Sequence, residues 1–132
     1  MPNTTNKYQS ISNQKIKNID IHDRIYKFVI SVLNLTKNLP KTRQNLILID
    51  QITRSATSMG ANDQEADGSL TRKDFIHNYV IVRKEGKETY YWLSVIGDTN
   101  PEFKSSLVDL LQEGKEIVKI VSSIVIKTKN KN

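Results

Sequence analysis

Few residues in this chain have chemistry to offer, and most sit in one stretch, QITRSATSMGANDQEA. Arg54, Ser58, Asn62 and Glu65 follow one another there at steps of four, four and three, so on a helix they share one side. A guanidinium, a hydroxyl, an amide and a carboxylate in a row can form a polar network, a subunit contact or a recognition surface for a ligand or RNA. Arg54 and Glu65 are eleven residues apart, about three helical turns, too far to pair within one helix. Each therefore needs a partner on another helix or another subunit.

Catalytic patterns are hard to find beyond this row. Helical bundles can house di-iron sites built from glutamates and two Glu-x-x-His motifs. Here there are two histidines, His22 and His77, and only His77 follows a carboxylate at that spacing, in Asp74-Phe-Ile-His77. Asp74 is already accounted for as part of a helix cap. Glu85 and Glu88 stand beside Lys84 and Lys87 and read as a solvated face. Neither a glycine-rich phosphate loop nor a Ser-His-Asp order stands out. The expectation is no catalytic residue, no metal and no cofactor.

With 132 residues, the chain has one domain's length, and it lacks cysteine, which excludes disulfides and thiolate chemistry. No apolar run approaches a membrane span, and the opening MPNTTNKYQS does not read as a signal peptide. A cytoplasmic protein is expected. The net charge of +6 is concentrated at the two ends. Lys7, Lys15 and Lys17 have no acidic counterpart in residues 1–19, and neither do Lys127, Lys129 and Lys131 in residues 127–132. The span between is neutral. Both ends read as flexible basic tails flanking a domain over residues 20–126, able to grip phosphate or simply to keep the protein in solution.

Four apolar stripes at helical spacing must position these groups. The first runs from about Asp20, a good N-cap, to Leu39, where Pro40 ends it. The second runs from the cap Thr42 through Leu46, Ile49, Ile52, Ala56 and Met59 to Gly68. The third starts at Thr71, with Asp74 completing a capping-box-like pair and Leu70 and Phe75 in the two positions of a hydrophobic staple. Gly97-Asp98-Thr99-Asn100 breaks the chain, and Asn100 caps a fourth helix opened by Pro101. Short connections make consecutive helices antiparallel neighbours. The expected fold is all-α, an antiparallel up-down-up-down four-helix bundle. Ser55, Ala56, Met59 and Gly60 let another helix come close, and Gly86 and Gly114 offer matching low points.

The stretch QITRSATSMGANDQEA, followed by KDFIHNYVIVRKEGKETYYWL, resembles the signature of the four-helix bundle family that includes the 23S ribosomal-RNA intervening-sequence proteins. The matching positions include Arg54, Ser58, Gly60, Ala61, Asn62 and Glu65, and later Asp74, Phe75, Glu88, Tyr91, Trp92 and Leu93. The resemblance covers roughly residues 20–126. Asp63 departs from it where Tyr or Ile is common, and Gly86 where Ala is common. It implies a bacterial protein without known catalysis, forming ring-like homo-oligomers, often pentamers, and linked to structured RNA. Relatives also serve as accessory factors to reverse transcriptases, so such an enzyme is one implied partner.

Two classes of function emerge. One is a non-enzymatic oligomeric bundle that binds structured RNA or DNA, or scaffolds a nucleic-acid enzyme. Its contacts would be Lys15, Lys17, Arg43, Arg72, Lys73, Lys127, Lys129 and Lys131, with Arg43, Arg72 and Lys73 at helix N-termini, where phosphate is favoured. The other is a protein-interaction or regulatory module that binds no nucleic acid. In either case Arg54, Ser58, Asn62, Glu65 and Trp92 would form an interface or an internal polar network. Tyr90 and Leu93 fill the core, Trp92 suits an interface, and Lys87 and Tyr91 share a face that permits base stacking.

Overall fold

The computed structural model describes residues 20–131. Helix α1 (Ile21–Asn38) begins where the Asp20 carboxylate accepts the His22 amide at 2.9 Å, satisfying a donor that no helical carbonyl reaches. It stops before Pro40, with Leu39 in an extended conformation. Lys41 turns back, and its Nζ donates to the carbonyls of Thr36 at 2.8 Å and Leu39 at 3.0 Å. Helix α2 (Arg43–Asp67) is capped by Thr42, whose hydroxyl accepts the Asn45 amide at 3.1 Å. It closes at Gly68, whose amide donates to the Gln64 carbonyl. Helix α3 (Arg72–Thr99) opens with Thr71 accepting the Asp74 amide at 3.1 Å. A 3-10 segment (Pro101–Leu107) leads into helix α4 (Val108–Lys129).

The antiparallel four-helix bundle expected from the sequence is therefore present. Each helix packs on its sequence neighbour, α2 with α3 most extensively, and α1 closes the square against α4. An even number of antiparallel helices brings the start of α1 and the end of α4 to one end of the bundle. Ile25, Phe28, Ile52, Tyr79, Leu93 and Ile117 lie at the centre of the core.

The small residues of α2 face two ways. Ser55 and Met59 face α3, and Met59 Cε lies 3.2 Å from the point a Gly86 Cβ would occupy. Gly60 faces α1 instead, with Val29 Cγ2 at 3.3 Å from its own Cβ position. Gly114 on α4 receives the Phe28 ring of α1, 3.0 Å from where a Cβ would stand.

Several local expectations are corrected. Leu70 forms no staple with Phe75. It is 98% exposed, because the turn after Gly68 swings it outward, and Phe75 stacks on Tyr79 at 4.6 Å instead. Leu46 is 49% exposed, and the first inward residue of α2 is Asn45. Asn100 makes no side-chain cap for the 3-10 segment. Its amide turns inward and exchanges hydrogen bonds with the Asn45 amide at 2.9 and 3.0 Å. The chain leaving it winds tightly and tucks Leu107 beside Gly97, where a Cβ would meet Leu107 Cδ1 at 3.2 Å. Glu85 and Glu88 do not pair with the nearby lysines, because Arg54 of α2 takes both carboxylates. Finally, α4 continues to Lys129, so Lys127 and Lys129 occupy its last turn, where positive charge complements the helix dipole.

Candidate functional site

The polar row on α2 resolves into separate environments. Arg54 reaches across to α3, where its Nη1 donates to Glu85 at 3.3 Å and its Nη2 pairs with Glu88. Glu85 is buried at 7% exposure. A carboxylate so far from water needs a cation or donors at hand, and Arg54 supplies both. Behind this pair, Ser55 and Thr89 share a buried hydrogen bond of 2.8 Å. The two helices are thus pinned in register by one half-exposed ion-pair cluster and one dry hydroxyl pair. Ser58 and Asn62 serve their own helix: the Asn62 amide donates to the Ser58 carbonyl at 2.9 Å and to its hydroxyl at 3.3 Å. Glu65 is exposed and has no ion pair among the described residues. Arg54 and Glu65 do not share a partner.

Trp92 lies on the α3 face that also carries Glu88, one turn away. Its ring meets Tyr91 edge-on at 4.9 Å. Tyr91 is 58% exposed. The Trp92 indole Nε1 is buried and has no acceptor among the described residues. An N–H shielded from water without a partner forfeits a hydrogen bond it made in the unfolded chain. It is the only such side-chain atom among the described residues.

The basic residues expected to contact nucleic acid divide by position. Arg72 and Lys73 at the start of α3 share one end of the bundle with Lys127, Lys129 and Lys131, and the Arg72 guanidinium donates to the Lys131 carbonyl. All five are exposed. Arg43 is exposed at the opposite end, where α2 begins. Lys15 and Lys17 lie outside the described residues. Asp20, Asp23, Asp67 and Asp74 stand at the same end as the basic group, so its surface carries both signs.

That end also holds a network that the sequence pattern did not reveal. Asp63 is 1% exposed, and its Oδ1 accepts from the Tyr79 hydroxyl at 2.7 Å and contacts His22 Nδ1 at 2.8 Å. His22 Nε2 lies 3.2 Å from Asp67 Oδ1. Burial, then the bond to Asp63, then the nearby carboxylates push the Tyr79 phenol far above its ordinary range. The sequence did carry a signal. Asp63 continues the inward series Ile52, Ala56, Met59, so an acid stands at a core position. On the next face Arg24 pairs with Glu113, its Nε donating at 3.0 Å, and this bond holds the guanidinium pKa above its usual value.

Both His22 nitrogens face carboxylates. Among the described residues, no cluster of three or more His, Asp or Glu side chains is arranged to hold a metal ion. No helix among them is long and apolar enough to cross a membrane. An apolar groove of about 260 Å³ between α1 and α2 is lined by Ile25, Tyr26, Val29, Gly60 and Ala61.

Comparison with known proteins matches this arrangement to one family. A solved structure from Bacteroides thetaiotaomicron, described as a protein of unknown function from the S23 ribosomal protein family, is 33% identical and superposes with a TM-score of 0.73. The match covers 80% of this chain and 98% of that one. No curated protein matches the chain. The family model described as 23S rRNA-intervening sequence protein matches residues 17–123, nearly the whole bundle, and the chain belongs to that family.

Proposed function

We propose that this protein is a non-catalytic bundle that assembles with copies of itself and holds structured nucleic acid by charge. The observation that carries the nucleic-acid half is the gathering of Arg72, Lys73, Lys127, Lys129 and Lys131 at the end of the bundle where α1 starts. Lys7, Lys15 and Lys17 precede α1 in the sequence and add to the positive charge of the chain. Exposed cations clustered in this way favour phosphate and release its counterions, with little reading of sequence. The family's name supports RNA as the ligand class. Arg43, alone at the far end, takes no part in this reading.

The oligomer half rests on Trp92. A shielded indole N–H without an acceptor, beside a half-exposed tyrosine, suits a face completed by a neighbour's carbonyl or carboxylate. Arg54 and Glu88 border that face. A ring of subunits would multiply the basic ends and raise avidity without new contacts. The alternative, a module that binds only protein, is favoured by the same Trp92 face if nucleic acid is not bound at all. A binding titration of the full chain against a structured RNA and a DNA duplex at low salt decides between them. Binding to both, with similar affinity, is expected. Absence of binding to either leaves the protein-interaction reading.

A further inference from the structure

His22 occupies a position that its own helix does not require. The imidazole sits at the first turn of α1 and bridges to α2, with Nδ1 at 2.8 Å from Asp63 Oδ1 and Nε2 at 3.2 Å from Asp67 Oδ1. Those two oxygens belong to carboxylates four residues apart on α2, one buried at 1% and one largely exposed at 58%. A neutral imidazole carries a single N–H, and only the imidazolium has a hydrogen for each nitrogen. The bridge to both carboxylates is complete only in the protonated ring.

We propose that His22 is a pH-gated tether between the start of α1 and the end of α2. The charged and titratable groups of the four helices divide between His22 and other partners. From α1, Asp20 caps the His22 amide and Asp23 is held by Lys27 at 3.0 Å. From α2 come Asp63 and Asp67, and from α3 the Tyr79 hydroxyl on Asp63. From α4, Glu113 and Glu116 are already directed at Arg24. Among the described residues the imidazolium is the one cation placed against the buried Asp63 carboxylate, since Tyr79 contributes only a neutral donor. When the ring loses its second proton, one carboxylate loses its bond and Asp63 is left with neutral donors.

The tether is complete while both ring nitrogens carry hydrogen, and it weakens with rising pH as one of those hydrogens is lost. A change in that direction loosens the first turn of α1. Because His77 is exposed and has no such bridge, it serves as an internal control.

The test is urea unfolding of the full-length chain, His22→Gln and His77→Gln between pH 5.5 and 8. The folding constant of the unmodified chain relative to H22Q should be about five- to tenfold larger at the acid end than at the alkaline end, a charge-assisted bond discounted for partial exposure. H77Q should track the unmodified chain. Should H22Q fail to fold, ring ¹⁵N and carboxyl ¹³C shifts of the unmodified chain decide. Hydrogen on both His22 nitrogens at pH 5.5, with Asp63 and Asp67 carboxyl signals moving as one is lost, supports the tether. A pH-independent ratio, or a His22 ring with hydrogen on one nitrogen throughout, overturns it.

Discussion

Replacing Asn100 with alanine should destabilise the bundle by about 2–3 kcal/mol, although the position lies in a connection. Asn45 and Asn100 are 3% and 5% exposed, and their amides exchange two hydrogen bonds of 2.9 and 3.0 Å. The remaining Nδ2 hydrogens go to the Pro40 carbonyl from Asn45 and the Ile96 carbonyl from Asn100. Alanine at 100 removes both inter-amide bonds and strands one acceptor and one donor of Asn45. Each stranded group costs about 1–3 kcal/mol, toward the lower value because a shallow groove alongside lets water approach. Asn45→Ala should cost a similar amount for the mirror-image reason. The double variant strands neither amide, so its cost should fall short of the sum by about 2 kcal/mol. Urea unfolding of the four proteins measures this directly. Additivity within about 0.5 kcal/mol would refute the view that the pair works as a unit.

Other consequences are smaller but as definite. Gly114→Ala should destabilise by about 1 kcal/mol even though alanine is the better helix former, because its methyl meets the buried Phe28 ring, whereas Gly60→Ala, facing one movable Val29 methyl, should be neutral or stabilising. Thermal melts that rank the two the other way would contradict the packing described. Trp92→Phe, which removes the unpartnered N–H, should shift light scattering toward monomer while leaving the monomer's unfolding midpoint in place; an unchanged oligomer mass would remove Trp92 from the interface. The phenol of Tyr79 is raised by burial and Asp63, so its contribution to stability is complete below about pH 10 and declines above it as the unfolded chain ionises. Tyr79→Phe should abolish that alkaline decline.

The helices were legible because their punctuation is local. Asp20, Thr42 and Thr71 cap as their neighbours dictate, and Pro40 ends a helix by backbone geometry alone. What failed depended on distant partners. Asn100 has the sequence context of a cap, yet Asn45, 55 residues away, draws its amide inward. Glu85 reads as surface beside Lys84 until Arg54 of another helix covers it. The His22–Asp63–Tyr79 network joins three helices, and no spacing rule along one helix reveals such a meeting. The basic candidates were chosen by composition, and the division of the described ones between the two ends of the bundle needed the path of the chain.

The central proposal stands or falls on how nucleic-acid affinity responds to salt. Six lysines lie toward the two ends of the sequence, Lys7, Lys15, Lys17, Lys127, Lys129 and Lys131. If each neutralises one phosphate, the slope of log affinity against log salt is about −5 per chain on duplex DNA, a fall of roughly a thousandfold between about 50 and 200 mM. Lys127→Gln, Lys129→Gln and Lys131→Gln together, with residues 1–18 removed, should flatten that slope toward what Arg72 and Lys73 alone provide. The far-ultraviolet helix signal should persist. A steep slope for the full chain that collapses in the neutralised form is the predicted result. Equal affinity and equal slope in the two proteins would contradict it.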